Sequence, residues 1–340
     1  MQENKRNGRA TGRLTLKDVA ARAEVSPITA SRALRGVGRV APELVARVKE
    51  AAAELNYIPD PAARALASSH SSVVTVLVPT LSNPAFGDVL EAIHAVLLPE
   101  GFQILIGDTH YSREQEEHLL RNYLSHRPGG LIVTGFDRNE EARRLIASSG
   151  VPCVHVLELA NSPGVYCVGS NQAEAGRTMA NYLISKGRRR IAFVAVIDPR
   201  AMLRAEGYRR AMKDAGLYDP ALELLSAVPA SIKLGADLFR EIVARHPDID
   251  AIFFSNDDLA HGALFAALNM GIKVPEQISI AGYNNLEEAA FTVPPLTTIH
   301  TSRAEIGRRA AQMLLALMRG KRVDEPVVDV GYELIVRESA

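Results

Sequence analysis

The residues best equipped for chemistry lie near the start of the chain. The segment Leu16-Lys17-Asp18-Val19-Ala20-Ala21-Arg22-Ala23-Glu24-Val25-Ser26-Pro27-Ile28-Thr29-Ala30-Ser31-Arg32-Ala33-Leu34 has the form of a helix-turn-helix. Its second half is expected to expose Ile28, Thr29, Ser31, Arg32 and Arg35. Small hydroxyls, a β-branched apolar group and guanidinium groups suit base edges, thymine methyls and phosphates in a major groove. Without further signal, a helical bundle used for protein contact fits the same pattern. Catalytic constellations are missing: there is no Gly-x-Ser-x-Gly elbow, no Walker loop and no Cys-x-x-Cys. Asp257-Asp258 lacks the paired histidines or carboxylates that a metal site needs. Neither an enzyme nor a metal or organic cofactor is therefore expected. Gly36-Val37-Gly38-Arg39-Val40-Ala41 satisfies a dinucleotide fingerprint with alanine last, but it follows a helix rather than a strand and reads as a loop.

These residues need elements to hold them. Leu16, Val19, Ala20 and Ala23 recur at helical spacing, and a second helix is expected from Ser26 as N-cap with Pro27 at its first position. A third begins near Pro42 and runs through Leu44, Val45, Val48, Ala52 and Leu55. A short helix capped by Asp60 and a serine-rich linker follow, near residues 60–72. From Val73 the texture changes to short apolar runs at 73–79, 102–107, 130–134, 151–156, 191–196, 251–254 and 278–282, mostly separated by amphipathic stretches. Such alternation predicts parallel sheets with helices on both faces, and about 270 residues of it exceed one sheet, so two lobes are expected. Ligands then settle at the carboxyl ends of strands.

The 340 residues carry 39 Lys+Arg and 39 Asp+Glu, which excludes a uniformly basic protein. Residues 1–70 hold 12 basic and 7 acidic side chains, net +5, and the remainder is net −5. Charge asymmetry of this kind points to a nucleic-acid-binding end. No apolar run approaches the roughly 20 residues of a membrane helix, and the polar N-terminus lacks a secretory pattern, so a cytoplasmic protein without membrane contact is expected. Cys153 and Cys167 are expected as free thiols.

The helix-turn-helix, Arg39-Val40-Ala41-Pro42, and Leu55-Asn56-Tyr57-Ile58-Pro59-Asp60-Pro61-Ala62-Ala63-Arg64-Ala65-Leu66-Ala67 together resemble the head and hinge of the LacI/GalR transcription regulators, and the match runs to near the chain's end. The resemblance implies a helix-turn-helix head at residues 1–58, a hinge helix and linker at 59–71, and a core at 72–340. That core is expected as two parallel-sheet lobes like those of periplasmic binding proteins. It places Thr15, Leu16, Ser26, Pro27, Ile28, Thr29, Ser31, Arg32, Arg35 and Arg39 at DNA, with Pro27 and Ile28 choosing bases. Arg64, Leu66 and Ala67 fall in the hinge, where Leu66 matches a leucine that wedges into a minor-groove step and kinks the duplex.

For the core, the resemblance implies an effector site. Ser82-Asn83-Pro84-Ala85-Phe86 matches a cleft segment, with Phe86 against a sugar ring face and Ser82 also readable as an N-cap. Arg204 in Arg204-Ala205-Glu206-Gly207-Tyr208 matches the effector-binding arginine, able to hold a carboxylate in two-pronged fashion. Asn256 matches a hydroxyl-binding position, while Asp257 or Asp258 could cap the next helix. Asn284 stands where aspartate is common, a departure that removes an anionic acceptor and favours an acidic ligand. Glu158, Thr134 and His110 are further candidates, His110 being equally readable as a surface loop residue. The segments 101–107, 109–111 and 130–136 look most like the branch sensing gluconate and 2-ketogluconate. The implied protein is a homodimeric repressor on a pseudo-palindromic operator, released by a six-carbon sugar acid. A ligand-tightened mode and a neutral-sugar effector are the alternatives.

Overall fold

The computed structural model describes residues 14–36, 38–57 and 71–340. Two compact units divide the chain after Ser71. The first contains α1 (Leu16–Arg22), α2 (Pro27–Arg35) and α3 (Pro42–Glu54). Local chemistry sets each boundary. The Asp18 carboxylate accepts hydrogen bonds from the amide and the hydroxyl of Thr15, both at 2.7 Å, which fixes the start of α1. Ser26 Oγ accepts from the Thr29 amide at 3.1 Å, with Pro27 at the first helical position. Gly36 ends α2 at φ 65°, a left-handed conformation open to glycine, so this glycine terminates a helix rather than opening a nucleotide cradle. Val19, Ala20, Ala23, Ala30, Ala33, Val48 and Ala51 form the buried centre of the three helices.

The second unit is α/β. Its first lobe comprises β1 (Val73–Val78), α4 (Pro84–Leu97), β2 (Gln103–Asp108), α5 (Arg113–Ser125), β3 (Gly130–Thr134), α6 (Glu140–Ser149), β4 (Cys153–Leu157) and β5 (Cys167–Gly169). The second holds α7 (Gln172–Ser185), β6 (Ile191–Val196), α8 (Pro199–Asp214), β7 (Glu223–Ser226), α9 (Ile232–Arg245), β8 (Ala251–Phe254), α10 (Asp257–Met270) and β9 (Ser279–Ala281). β10 (Thr298–His300), α11 (Arg303–Met318), β11 (Val327–Asp329) and β12 (Glu333–Ile335) complete the chain. Six strands in the order β11-β5-β4-β3-β1-β2 form the first sheet and four in the order β7-β6-β8-β9 form the second. Every pairing within these two sheets is parallel, and strands such as β6 are buried along their whole length.

α11 returns to pack on α4, β3, β4 and β5, and β11 joins the first sheet beside β5. β12 then pairs antiparallel with β10 on the second lobe. The chain therefore passes between lobes three times: after β5, before α11 and after β11. All seven expected strands are present within a residue or two of their expected bounds. β5, β7, β10, β11 and β12 are additional, and each has only three or four residues. Cys153 and Cys167 are both free.

Candidate functional site

In the head, Thr15, Ser26, Pro27, Ile28, Arg32 and Arg39 are exposed, and Ile28 keeps 66% of its surface open although it is a large apolar residue. An isoleucine held out by a proline-started helix, beside hydroxyls and arginines, is suited to a thymine methyl. Thr29 and Ser31 are half-buried rather than fully exposed, and Thr29 Oγ1 lies 2.9 Å from Ser26 Oγ. Leu16 is half-buried against the head core, which gives it a packing role alongside any contact with DNA. Arg35 ends α2. Arg64, Leu66 and Ala67 lie outside the described residues.

In the core, the strand ends and crossovers bring together Phe86, Tyr111, Gln172, Asp198, Arg200, Arg204, Asn256, Tyr283, Asn284 and Arg303 around one cavity between the lobes. Helix α8 supplies its charge. Asp198 caps that helix, accepting from the Arg200 and Ala201 amides at 3.0 Å each, and Arg200 and Arg204, four residues apart, share one face. α8 sits close against α7 because Gly176 and Gly207 lie at the contact. A Cβ at Gly176 would stand 2.2 Å from the Arg204 carbonyl oxygen, and one at Gly207 1.8 Å from that of Ala173. This approach carries Arg204 next to Gln172, the first residue of α7.

Arg204 is 6% exposed. One guanidinium nitrogen donates to Gln172 Oε1 at 2.7 Å, and the group stacks 4.2 Å from the centre of the Tyr283 ring. Its Nε makes no hydrogen bond, and among the described residues no carboxylate pairs with it. Arg200 differs. It reaches across the cleft, 3.4 Å from Glu158 Oε1, 3.7 Å from Asp198 Oδ1 and 5.7 Å from the Phe86 ring centre. Burial pushes the Glu158 carboxyl above its usual range, and the charge of Arg200 opposes that rise. Arg303 ties the lobes at a second point, donating to Asp88 Oδ2 at 2.9 Å and to the Asn284 carbonyl oxygen. Asn284 adopts φ 121°, a positive value uncommon for a residue with a side chain.

Two capping expectations are corrected. Asn83, not Ser82, caps α4, accepting from the Ala85 amide at 2.9 Å, while Ser82 is exposed and bonds Thr80 Oγ1 at 2.8 Å, outside the cavity lining. Asn256, not Asp257 or Asp258, caps α10, accepting from the Leu259 amide at 3.0 Å. Its side-chain amide group remains available as a donor at the cavity. Asp257 is fully buried and receives the Leu286 amide at 2.8 Å and the Thr298 hydroxyl at 2.7 Å. Burial raises its pKa to about 6.

A second cavity adjoins the first and shares Tyr111 and Arg200 with it. Thr134 and Glu158 line this one, together with Glu116 and Asp137. Thr134 Oγ1 donates to the Leu77 carbonyl at 3.1 Å. His110 lies on neither wall; its side chain is exposed, with Nδ1 3.3 Å from Asp108 Oδ1. Arg200, Arg303, Gln172 and Tyr111 were not anticipated. Only Arg200 had a readable signal, its spacing of four from Arg204.

Known proteins share these features. Residues 15–60 match the profile described as bacterial regulatory proteins, lacI family, and residues 180–340 match a periplasmic binding protein-like domain. The HTH-type transcriptional regulator GntR of Pseudomonas aeruginosa is 54% identical over 338 residues, covering 99% of this chain and 98% of the relative. The crystal structure of transcription regulator GntR from Chromobacterium violaceum superposes with a TM-score of 0.77 at 43% identity, covering 78% of this chain and 98% of that one. A LacI-family regulator from Silicibacter pomeroyi superposes with a TM-score of 0.89 at 34% identity, over 96% and 99% of the two chains.

Proposed function

The chain belongs to the lacI family of bacterial regulatory proteins, DNA-binding regulators of transcription, and on that premise we propose that it is a repressor released from its operator by a six-carbon sugar acid held between the core lobes. Gluconate and 2-ketogluconate are the candidate acids. The observation that carries this reading is Arg204: a buried guanidinium with, among the described residues, no carboxylate partner and an unbonded Nε. A buried charge left unpaired is costly, and an anionic ligand removes that cost. A neutral sugar would leave it in place. Asn284, in a position where an aspartate would repel the acid, agrees with this, and Phe86 offers an apolar surface for the carbon chain.

Release requires only that the acid bind one arrangement of the lobes better than the other. The arrangement seen here is tied across the cleft by Arg200 to Glu158 and by Arg303 to Asn284. A homodimer supplies the two-fold symmetry of a pseudo-palindromic operator. In support, Phe265, Leu268, Phe291 and Val293 line one shallow apolar hollow on the second lobe, and Phe291 and Val293 are 78% and 79% exposed.

Isothermal titration of the full chain with D-gluconate, 2-ketogluconate and D-glucose tests the ligand class. Saturable binding of at least one acid, with none for glucose at the same concentrations, is expected. Glucose binding as tight as either acid would overturn the reading.

A further inference from the structure

Gln172 makes more bonds than the first residue of a helix needs. It begins α7 directly after the chain crosses from the first lobe, on a helix start fixed by Asn171, whose side chain accepts from the Glu174 amide at 3.0 Å. It is 5% exposed. Its side-chain amide fits in one orientation only. The Leu157 carbonyl, which can only accept, lies 3.1 Å from Nε2, and Arg204 Nη1, which can only donate, lies 2.7 Å from Oε1. A longer contact from Nε2 to Ser170 Oγ at 3.4 Å agrees with that orientation. One amide therefore joins the arginine of the second lobe to the last residue of β4 in the first.

The receiving end is strained. Leu157 has φ 73°, a region that residues with side chains occupy only where their surroundings hold them. There is no slack beside it, because a Cβ at Gly169 on the neighbouring β5 would stand 2.6 Å from the Glu158 amide nitrogen. Glu158 in turn meets Arg200 at 3.4 Å. Two arginines one turn apart on α8 thus bear on two consecutive residues of the first lobe, Arg200 directly and Arg204 through Gln172.

We propose that Gln172 is a positioning residue that couples an anion at Arg204 to the arrangement of the lobes. An anion that draws the guanidinium toward itself shifts the Gln172 amide, and with it the hold on Leu157. A tightly packed turn kept under strain converts such a small displacement into a change of lobe arrangement. This role rests on the sugar-acid reading of the cleft and adds the route by which the acid acts.

The experiment follows a labelled operator fragment by fluorescence anisotropy, without acid and with saturating D-gluconate or 2-ketogluconate, for the full chain and the variants Gln172→Met and Gln172→Asn. Methionine keeps the length and makes neither bond, while asparagine is one methylene too short to span both partners. The factor by which saturating acid changes operator affinity measures the coupling, whatever the affinity for the acid. Both variants should still bind the acid by calorimetry, and the factor should shrink by about tenfold. If Gln172→Met does not fold, Gln172→Asn alone decides. Folded variants that bind the acid more weakly yet keep the wild-type factor at saturation would reduce Gln172 to a structural role and overturn the inference, leaving the sugar-acid reading intact. Wild-type protein whose operator affinity neither acid changes would overturn both.

Discussion

Arg204 and Arg200 are separated by one helical turn, yet their surroundings give them different work. Arg200 is charge-paired across the cleft, whereas Arg204 has only an amide oxygen and an aromatic face. The neutral variant Arg204→Gln should therefore keep operator affinity while weakening gluconate binding by about a hundredfold, since a charged hydrogen-bonded pair desolvated in a cleft contributes a few kcal/mol. Calorimetry beside an operator titration checks both halves, and retained acid binding would remove Arg204 from its role. Arg204, Asn256 and Asn284 were legible because each sits in a short ordered motif at the end of an apolar run. Gln172 and Arg303 were not: each opens a helix with no local pattern to distinguish it, and only the crossings between lobes carry them into the cleft.

Elements follow the same division. Long apolar strands such as β1 and β6 announce themselves, because five or six consecutive buried residues leave a readable run. The three-residue strands β5, β10, β11 and β12 are too short to show any period, and tertiary pairing alone creates them. Behind the second cavity, β4 places His155 in a stack with Phe136 at 4.4 Å between ring centres, with Nδ1 2.9 Å from the Gly135 carbonyl. Burial and the nearby Arg138 hold its pKa down at about 4. Between pH 6.5 and 4 the unfolded chain takes up a proton here that the folded chain does not, so stability falls as pH falls through that window and is unaffected above it. His155→Asn, which cannot titrate, should show a shallower decline in melting temperature from pH 7 to pH 4.5 than the wild-type protein; parallel declines would exclude His155 as a contributor.

For the molecule as a whole, net charge +0 conceals a head and hinge of net +5 joined to a core of net −5. Phosphate affinity is expected of the first part alone, which a neutral total does not exclude. The fold class and the division near residue 71 were legible from that charge step and from the change from helical to strand-like texture. The surface around Phe265, Leu268, Phe291 and Val293 was not, since its residues come from α10 and a distant loop. Leu268→Asp should shift the protein from dimer to monomer in sedimentation velocity and weaken operator binding, and an unchanged sedimentation coefficient would place the dimer contact elsewhere. On the proposed function, an acid in the cleft frees the head from DNA. Fluorescence anisotropy of a labelled operator fragment, selected from genomic DNA by the full chain, tests it directly when D-gluconate or 2-ketogluconate is titrated into the preformed complex. Release by one of these acids, with none on adding glucose, is the predicted result; a complex that neither acid loosens, or that glucose loosens equally, would contradict it.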